Sequence, residues 1–498
     1  MEPIKTVDKK AEALKNQILS SDNIPLPNSV QAYYVSANGS DLNDGKSPEF
    51  PWKTLLRVNS AFNRDNKKRA CVCFKRGEIF RGQLQACSNV AYTAYGAGEK
   101  PVICGSGENG AYPDKWRLCS EGKNVWEYEK ELTDVGSVFF NGGEGYAVKL
   151  CPDISDGKYE YGIEKLENNQ FLSSIPAADA VRLNNNTAVE LKGKLYLRCD
   201  AGNPGEVYSS IEFSERSYII TIPYYSENIL IDNLAVRFGG AHGIGGGFTD
   251  NLTVQNCEVG FIGGGIQSYI FNAENNTYSV VRYGNGVELH SYCSGYTVRN
   301  CWVHDIYDAG LTHQQGENHS VGLLFKDVSY VGNLIENCIY SIEYFARKSR
   351  RNGATVLMEN IYIADNIMRN AGCGFGSQRT MLKNGWNMGN HINGWQRSFN
   401  LTNGNFVIEN NIFDRVLKSD PERPAKQNTS LILASAGSAE WLPMFRNNTY
   451  IIEKGNQLAY VGLNLADNAS KIPYVYAAEG VSAENVFADS SGKIILIG

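Results

Sequence analysis

Three carboxylates stand in short segments that mix aliphatic, aromatic and histidine side chains: Glu288 in GNGVELH, Asp308 in HDIYDAGLTHQ and Glu343 in YSIEYF. Cleavage of a glycosidic bond ordinarily uses two such groups flanking the bond, one as acid and the other as nucleophile or base. Each glutamate follows an aliphatic residue, Val287 or Ile342. On a strand whose aliphatic residue faces a core, the carboxylate then faces away from it. Asp308 stands three residues before Leu311, in a YDAG context where an Asp also serves as a turn cap. Whether any two of these acids meet depends on the elements that carry them.

Those elements are legible as a repeat. NILIDNLAV from Asn228, NLTVQNCEV from Asn251, GYTVRNCWV from Gly295, GNLIENCIY from Gly332, NIYIADNIM from Asn360 and NFVIENNIF from Asn405 share one pattern. Their fourth position is always Val or Ile and their sixth Asn or Asp. Apolar and polar residues alternate with a period of two, the signature of a half-buried strand. A second element, GAHGIGGG, GGGIQSY, DAGLTHQ, YSIEYF or GCGFGSQ, follows most phrases and aligns Ile244, Ile266, Leu311, Ile342 and Phe375 in one apolar column. Two strands per coil separated by tight turns predict a solenoid, the parallel β-helix. Coil starts are spaced by 23, 44, 37, 28 and 45 residues, so the surplus over the shortest coil must leave the cylinder as loops or extra coils.

In that scheme Glu288 and Glu343 share one outer face, with the DAGLT coil between them. Strands stack about 4.8 Å apart, so one rung suits a retaining pair near about 5 Å and two rungs an inverting pair near about 9 Å. Glu288 with Asp308, Asp308 with Glu343, and Glu288 with Glu343 all stand as candidate pairs. His313 and Gln314 follow the apolar column closely enough to bind a sugar or tune an acid, and Asp305 is a further candidate with a structural role as its rival. Gln378 and Arg379 of FGSQR fall at the equivalent place two coils on. His391 and Trp395 in HINGW suit a loop with a sugar-stacking platform, Trp386 less so. Arg347, with Lys348, Arg350 and Arg351, forms a basic run that would pair with uronate or sulfate groups, or else is a solvated loop.

Cys257, Cys301 and Cys338 occupy one position of three successive phrases and are expected to form an internal thiol ladder, since free Cys packs as a small hydrophobe. Asn256, Asn300 and Asn337 beside them suit an amide ladder. The 498 residues are read as an N-terminal helix and linker over 1–30 and one parallel β-helix over 31–498, with first coils at about 31–130, loop-rich strands at 131–227, regular coils at 228–450 and a cap at 451–498. The helix is expected to cover an edge or end of the solenoid.

Forty-seven Lys plus Arg against 53 Asp plus Glu give no general attraction to nucleic acid. The polar N-terminus lacks the apolar stretch of a signal peptide, and no run reaches transmembrane length. Twelve Cys without a compact framework suggest reduced thiols and a cytoplasmic location, or secretion if a leader was removed. No cofactor is expected. Calcium, the one ion considered, needs six to eight oxygen ligands, whereas Asp41, Asn43, Asp44 and Gly45 read as turn chemistry.

The segment YYVSANGSDLNDGKSPEFPWKTLLR at 33–57 resembles the opening coil of the right-handed parallel β-helix carbohydrate enzymes, the pectate-lyase-like superfamily. FKRGEIFRG, YTAYGAGEKPVICGS, LYLRCDAGNPGEVYSSIEF, GGAHGIGGG, GNGVELH, HDIYDAGLTHQ and FGSQR continue the resemblance over most of 31–450. It is strongest to bacterial β-helix glycoside hydrolases such as family 141. The resemblance implies an all-β, right-handed parallel β-helix and a carbohydrate substrate, but not the reaction. A glycoside hydrolase is the first expectation. A polysaccharide lyase acting on a uronic-acid glycan and a non-catalytic carbohydrate-binding β-helix are the alternatives. Neither a nucleic-acid nor a membrane partner is implied, and no P-loop, HExxH or GxSxG motif is present.

Overall fold

The computed structural model describes residues 2–26, 29–63, 66–155, 158–159, 162–184, 190–316, 318–378, 388–394, 401–402, 405–417, 428–463 and 474–498. The alternating segments form strands that stack in parallel as a β-helix with three walls. On the first wall Ile231, Val254, Val298, Tyr330, Ile363 and Ile408 stand in one register, all inside a continuous core. The second wall is a ten-stranded sheet running from Ile79–Arg81 to Lys493–Ile497. The third carries the candidate glutamates. Strands Ile244–Gln255 and Val287–Arg299 are long enough to bend from the third wall into the first.

One phrase is out of phase. The fourth coil enters the first wall through the strand Leu323–Val331, so Tyr330 takes the aliphatic position there. GNLIENCIY instead supplies Leu334–Glu336 of the second wall, pairing with Trp302–His304. The two walls look alike in sequence because both alternate and both turn at an Asn in the left-handed region, at Asn256 and Asn300 on one corner and Asn337 and Asn370 on another. Asn tolerates that conformation at little cost because its short polar side chain bonds locally. Asn300 donates to Asn256 at 2.5 Å, whereas Asn337 accepts from Asn370 at 3.4 Å, so the expected single amide ladder is divided between two corners.

Cys338 likewise leaves the thiol column. Cys257 and Cys301 are succeeded there by Asn333, whose Oδ1 accepts the Cys301 amide at 3.0 Å, and then by Asn366, Asn411 and Asn448. Each side-chain amide donates to a main-chain carbonyl and to the next member, which is an Asn for Asn333, Asn366 and Asn411 and Asp489 for Asn448. The series ends on Asp489, whose carboxylate accepts from the Asn447 and Asn448 amides and the Tyr450 hydroxyl. All twelve cysteines are free thiols, and only Cys119 and Cys373 are better than buried. A thiol reagent is therefore expected to modify at most those two in the native protein and all twelve after unfolding. Rapid native reaction of Cys257 or Cys301, read by peptide mass, would contradict this packing.

The N-terminal helix Glu2–Leu19 lies on the outer face of the second wall, not over an edge or end. Val7, Ala11 and Ile18 pack on Leu334, Ile367 and Ile451, with Trp302, Ile412 and Ile495 alongside. Eighteen residues rise about 27 Å, enough to cross the six strands that carry this aliphatic row at about 4.8 Å each. An aliphatic row on an outer face needs cover, and the helix supplies it. The solenoid's ends are closed elsewhere, by Trp52 with the helix Leu55–Ala61 and by Phe487, stacked 4.3 Å from Tyr450. In the opening loop Asp41 accepts the amides of Lys53 and Thr54 and the Thr54 hydroxyl, and so fixes Thr54, whose Oγ1 caps the helix by accepting the Arg57 amide.

Strands from Trp116–Leu118 to Ile211–Glu215 build a separate, mostly antiparallel sheet around Phe171, Leu195 and Phe213. It docks on a hairpin, Gly265–Asn272 with Thr277–Tyr283, that leaves the solenoid in the first long interval. Asp134 holds this junction. Its carboxylate pairs with the buried Lys149 ammonium at 2.5 Å and accepts the Ile266 amide at 2.6 Å.

Candidate active site

On the third wall Ile244, Val287, Leu311 and Ile342 stand in register and enter the core, as alternation requires. Ile392 is the next member, from the strand Met388–Gly394. Ile266 and Phe375 do not belong to the column: the first lies in the docking hairpin and the second in a 3₁₀ turn. The residues that follow the column form an outward row, Gly245, Glu288, Thr312, Glu343 and Asn393. Glu288 and Glu343 are thus two rungs apart, about 10 Å by strand spacing.

Thr312, and not Asp308, occupies the rung between them. Asp308 sits in the bend before the strand Ala309–Gln315, where its amide donates to Gly284 and its carbonyl accepts from Tyr340, each at 3.1 Å. The row of three acids is therefore not formed. Thr312 is fully buried, and its hydroxyl has no hydrogen-bond partner among the described residues.

Glu288 is only 5% exposed. Its Oε2 accepts from Asn285 Nδ2 at 2.5 Å and lies 3.0 Å from His242 Nδ1, while its Oε1 lies 3.5 Å from His290 Nδ1. Burial alone would push its pKa up, but the imidazoles of His242 and His290 outweigh burial and hold the carboxyl well below the usual range. His242 Nδ1 also lies 3.0 Å from the Asn285 main-chain nitrogen, so the amide and the carboxylate meet at one ring nitrogen. Tyr218 and Tyr283 set ring edges against His242. Gly245 makes room for them, since a Cβ there would meet His242 and Tyr218 at 3.1 Å.

From Glu288 a chain of polar contacts leads outward. His290 lies two residues on, on the same face, and its Nε2 is 2.5 Å from the hydroxyl of Tyr224, which is 44% exposed. Carboxylate, imidazole and hydroxyl in series is an arrangement that can move a proton without burying a new charge. Glu343 stands at the other end of the row, half-buried, with Oε1 accepting from Asn393 Nδ2 at 2.8 Å. Gln314 is half-buried in register with His290 and Phe345, and the Arg347 guanidinium lies 5.2 Å over the Phe345 ring.

Several candidate residues fall elsewhere. His313 points into the cylinder, fully buried with Nδ1 3.0 Å from the Tyr330 hydroxyl, and burial takes its pKa down to about 3. The period of two that turns Thr312 outward turns His313 in, which removes it from a sugar site. His391 belongs to a strand, not a loop. Its Nε2–H donates to the Arg415 carbonyl, so Nδ1 accepts from Ser341, both at 2.9 Å, and burial lowers its pKa to about 4. Asp305 is on the second wall, bonded to His304 in a network with Glu258 and Arg237. Gln378 accepts the Lys149 amide at 2.8 Å and so ties the inserted sheet to the solenoid. Arg379, Trp395 and Trp386 lie outside the described residues.

His242, Asn285, His290 and Tyr224 were not among the sequence candidates. His290 was within reach, two residues after Glu288 on an alternating strand. His242 and Tyr224 come from neighbouring coils, and only the register brings them in. Among the described residues no group of three or more His, Cys, Asp or Glu is placed to hold a metal ion.

No protein-family model and no curated protein matches the chain. Among solved structures it is similar to a glycoside hydrolase at 9% identity, covering 89% of this chain and 98% of that one, with a TM-score of 0.43. It is also similar to a GH136 lacto-N-biosidase from Eubacterium ramulus (12% identity, 94% and 68% covered, TM-score 0.37). A third is an alginate lyase from Paenibacillus sp. (10% identity, 83% and 97% covered, TM-score 0.35). At that distance the reaction has to be argued from the chain's own side chains.

Proposed function

We propose that the chain is a carbohydrate-active enzyme, and first a glycoside hydrolase, with the outward row of the third wall as its site. The observation that carries this is the register of Glu288, Thr312 and Glu343, which sets two carboxylates on one face from strands two rungs apart, about 10 Å between backbones. Side chains leaning towards each other by a small part of that spacing bring the carboxyl groups into the range, roughly 6.5–9.5 Å, that leaves room for a water between acid and base. In this reading Glu343 protonates the leaving glycosidic oxygen. Water attacks the anomeric carbon as its proton passes towards Glu288, directly or through Tyr224 and His290. The C–O bond breaks, and the anomeric configuration inverts.

A second reading is favoured by the Tyr224–His290–Glu288 chain. A lyase needs a base that takes the proton beside a uronate carboxylate, and an exposed phenol backed by an imidazole and an ionised carboxylate suits that step. The two readings separate on their products. Incubation with xylohexaose and with hexagalacturonate is expected to release new reducing ends of inverted configuration without ultraviolet absorbance. An absorbing, unsaturated product would displace the hydrolase reading in favour of the lyase, and retained configuration would dissolve the pairing of Glu343 with Glu288.

A further inference from the structure

Left-handed backbone is common at the corners of this solenoid, and among the described residues most such non-glycine positions are Asn or Asp. Four are aromatic: Tyr225, Phe238, Phe248 and Phe261, with φ of 67°, 64°, 49° and 60°. A bulky side chain there costs about 1–2 kcal/mol that Asn largely avoids. Phe238 and Phe261 recover that cost by burial. Their rings stack at 5.2 Å under Phe139 of the inserted sheet, which in turn meets Phe375.

Tyr225 and Phe248 occupy a different corner. Tyr225 is 68% exposed and Phe248 half-buried, their rings 5.3 Å apart at 34°, with the Tyr225 amide bonded to the Phe248 carbonyl at 2.8 Å. Tyr224 lies against Phe248 at 5.4 Å and is the same residue whose hydroxyl reaches His290. The backbone strain here is not offset by burial of the Tyr225 ring. It holds the Tyr225 face in solvent against a Phe248 ring that itself packs on the solenoid core, three residues beyond Gly245 on the strand that carries the glutamate row's neighbour.

We infer that Tyr225 and Phe248 form a sugar-stacking subsite, adjoining the carboxylate row, that takes the C–H face of a pyranose ring of a bound oligosaccharide. The inference rests on the carbohydrate reading and names where the glycan extends from the reacting bond, about 10 Å along the strand. Rigid aromatic faces with polar rims suit a ligand that is apolar on its ring faces and hydroxylated at its edge. The surrounding groups fit that edge: the Tyr225 hydroxyl, the Tyr292 hydroxyl bonded to Asp250, and His290.

The test exploits the opposite signs of strain and binding. Tyr225→Asn and Phe248→Asn put the residue this corner prefers in place of the ring. Tyr225→Asn is expected to keep or raise the melting temperature and Phe248→Asn to lower it through lost core packing, while each weakens binding of the better of xylohexaose and hexagalacturonate tenfold or more by calorimetry. Phe248→Gly, which also suits the backbone, should behave like the Asn variant. Affinity within twofold of wild type, or a melting temperature several degrees lower in Tyr225→Asn, overturns the subsite and leaves the rings structural. Wild-type protein that binds neither hexasaccharide overturns the carbohydrate reading itself, and this inference with it.

Discussion

Glu343→Gln is expected to lower turnover by roughly 10³-fold or more while leaving the melting temperature within about 2 °C of wild type. The side chain is half-buried, and among the described residues its Oε1 accepts from Asn393 Nδ2, a bond that the Gln carbonyl can keep. What Gln cannot do is hold and release the proton that a departing glycosidic oxygen requires, a contribution typically worth about 10²–10⁴-fold, and more when the leaving group is poor. Because the fold is undisturbed, the loss should lie in kcat, with KM little changed. Turnover within tenfold of wild type would remove Glu343 from the mechanism. It would also direct attention to the Tyr224–His290 chain as the sole proton-transfer device.

Glu288→Gln is expected to cost both activity and stability. The carboxylate is buried and paired with two imidazoles, and breaking a buried ionic arrangement by removing one partner costs about 3–5 kcal/mol. The pH dependence follows from the direction of its shift. The folded pKa lies well below the usual 4.5, so the stabilisation is present above that value and is lost as the pH falls through the folded pKa. The urea midpoint of the wild type should therefore fall on acidification below about pH 4.5, and that of the variant should fall less, so that the two converge. Parallel pH curves would mean that Glu288 carries no net ionic stabilisation. Activity should drop by roughly 10²-fold or more whether Glu288 acts on water or through His290.

The solenoid was legible because alternation and the Asn corners are local signals, repeated many times. The same local character produced the phase error at GNLIENCIY, where two walls use one vocabulary and only pairing distinguishes them. Glu288 and Glu343 were legible because each follows a core residue on a strand, and that rule also predicted the coil between them. Asp308 was misplaced because it lies in a bend, where a count of residues no longer measures distance. His313 and His391 were misread because composition marks a His as reactive, while one step of strand parity or a corner bond decides that it is enclosed. Tyr224, His242 and Asn285 could not be read at all. His242 and Asn285 reach Glu288, and Tyr224 its neighbour His290, from other coils or from a turn, and Tyr224 and His242 lie 64 and 46 residues from Glu288 in the chain.

The Asn series that ends on Asp489 bears on how such a chain changes length. Every rung from Asn333 to Asn448 presents the same donor and the same acceptor to its neighbours above and below. A duplicated or deleted coil within that stretch would meet complementary groups on both sides and orphan none. Asp489 accepts only and has nothing to hand on, so no further rung of this kind can follow it. Copy number in the middle of the solenoid is thus free to vary, while the carboxylate marks where counting stops.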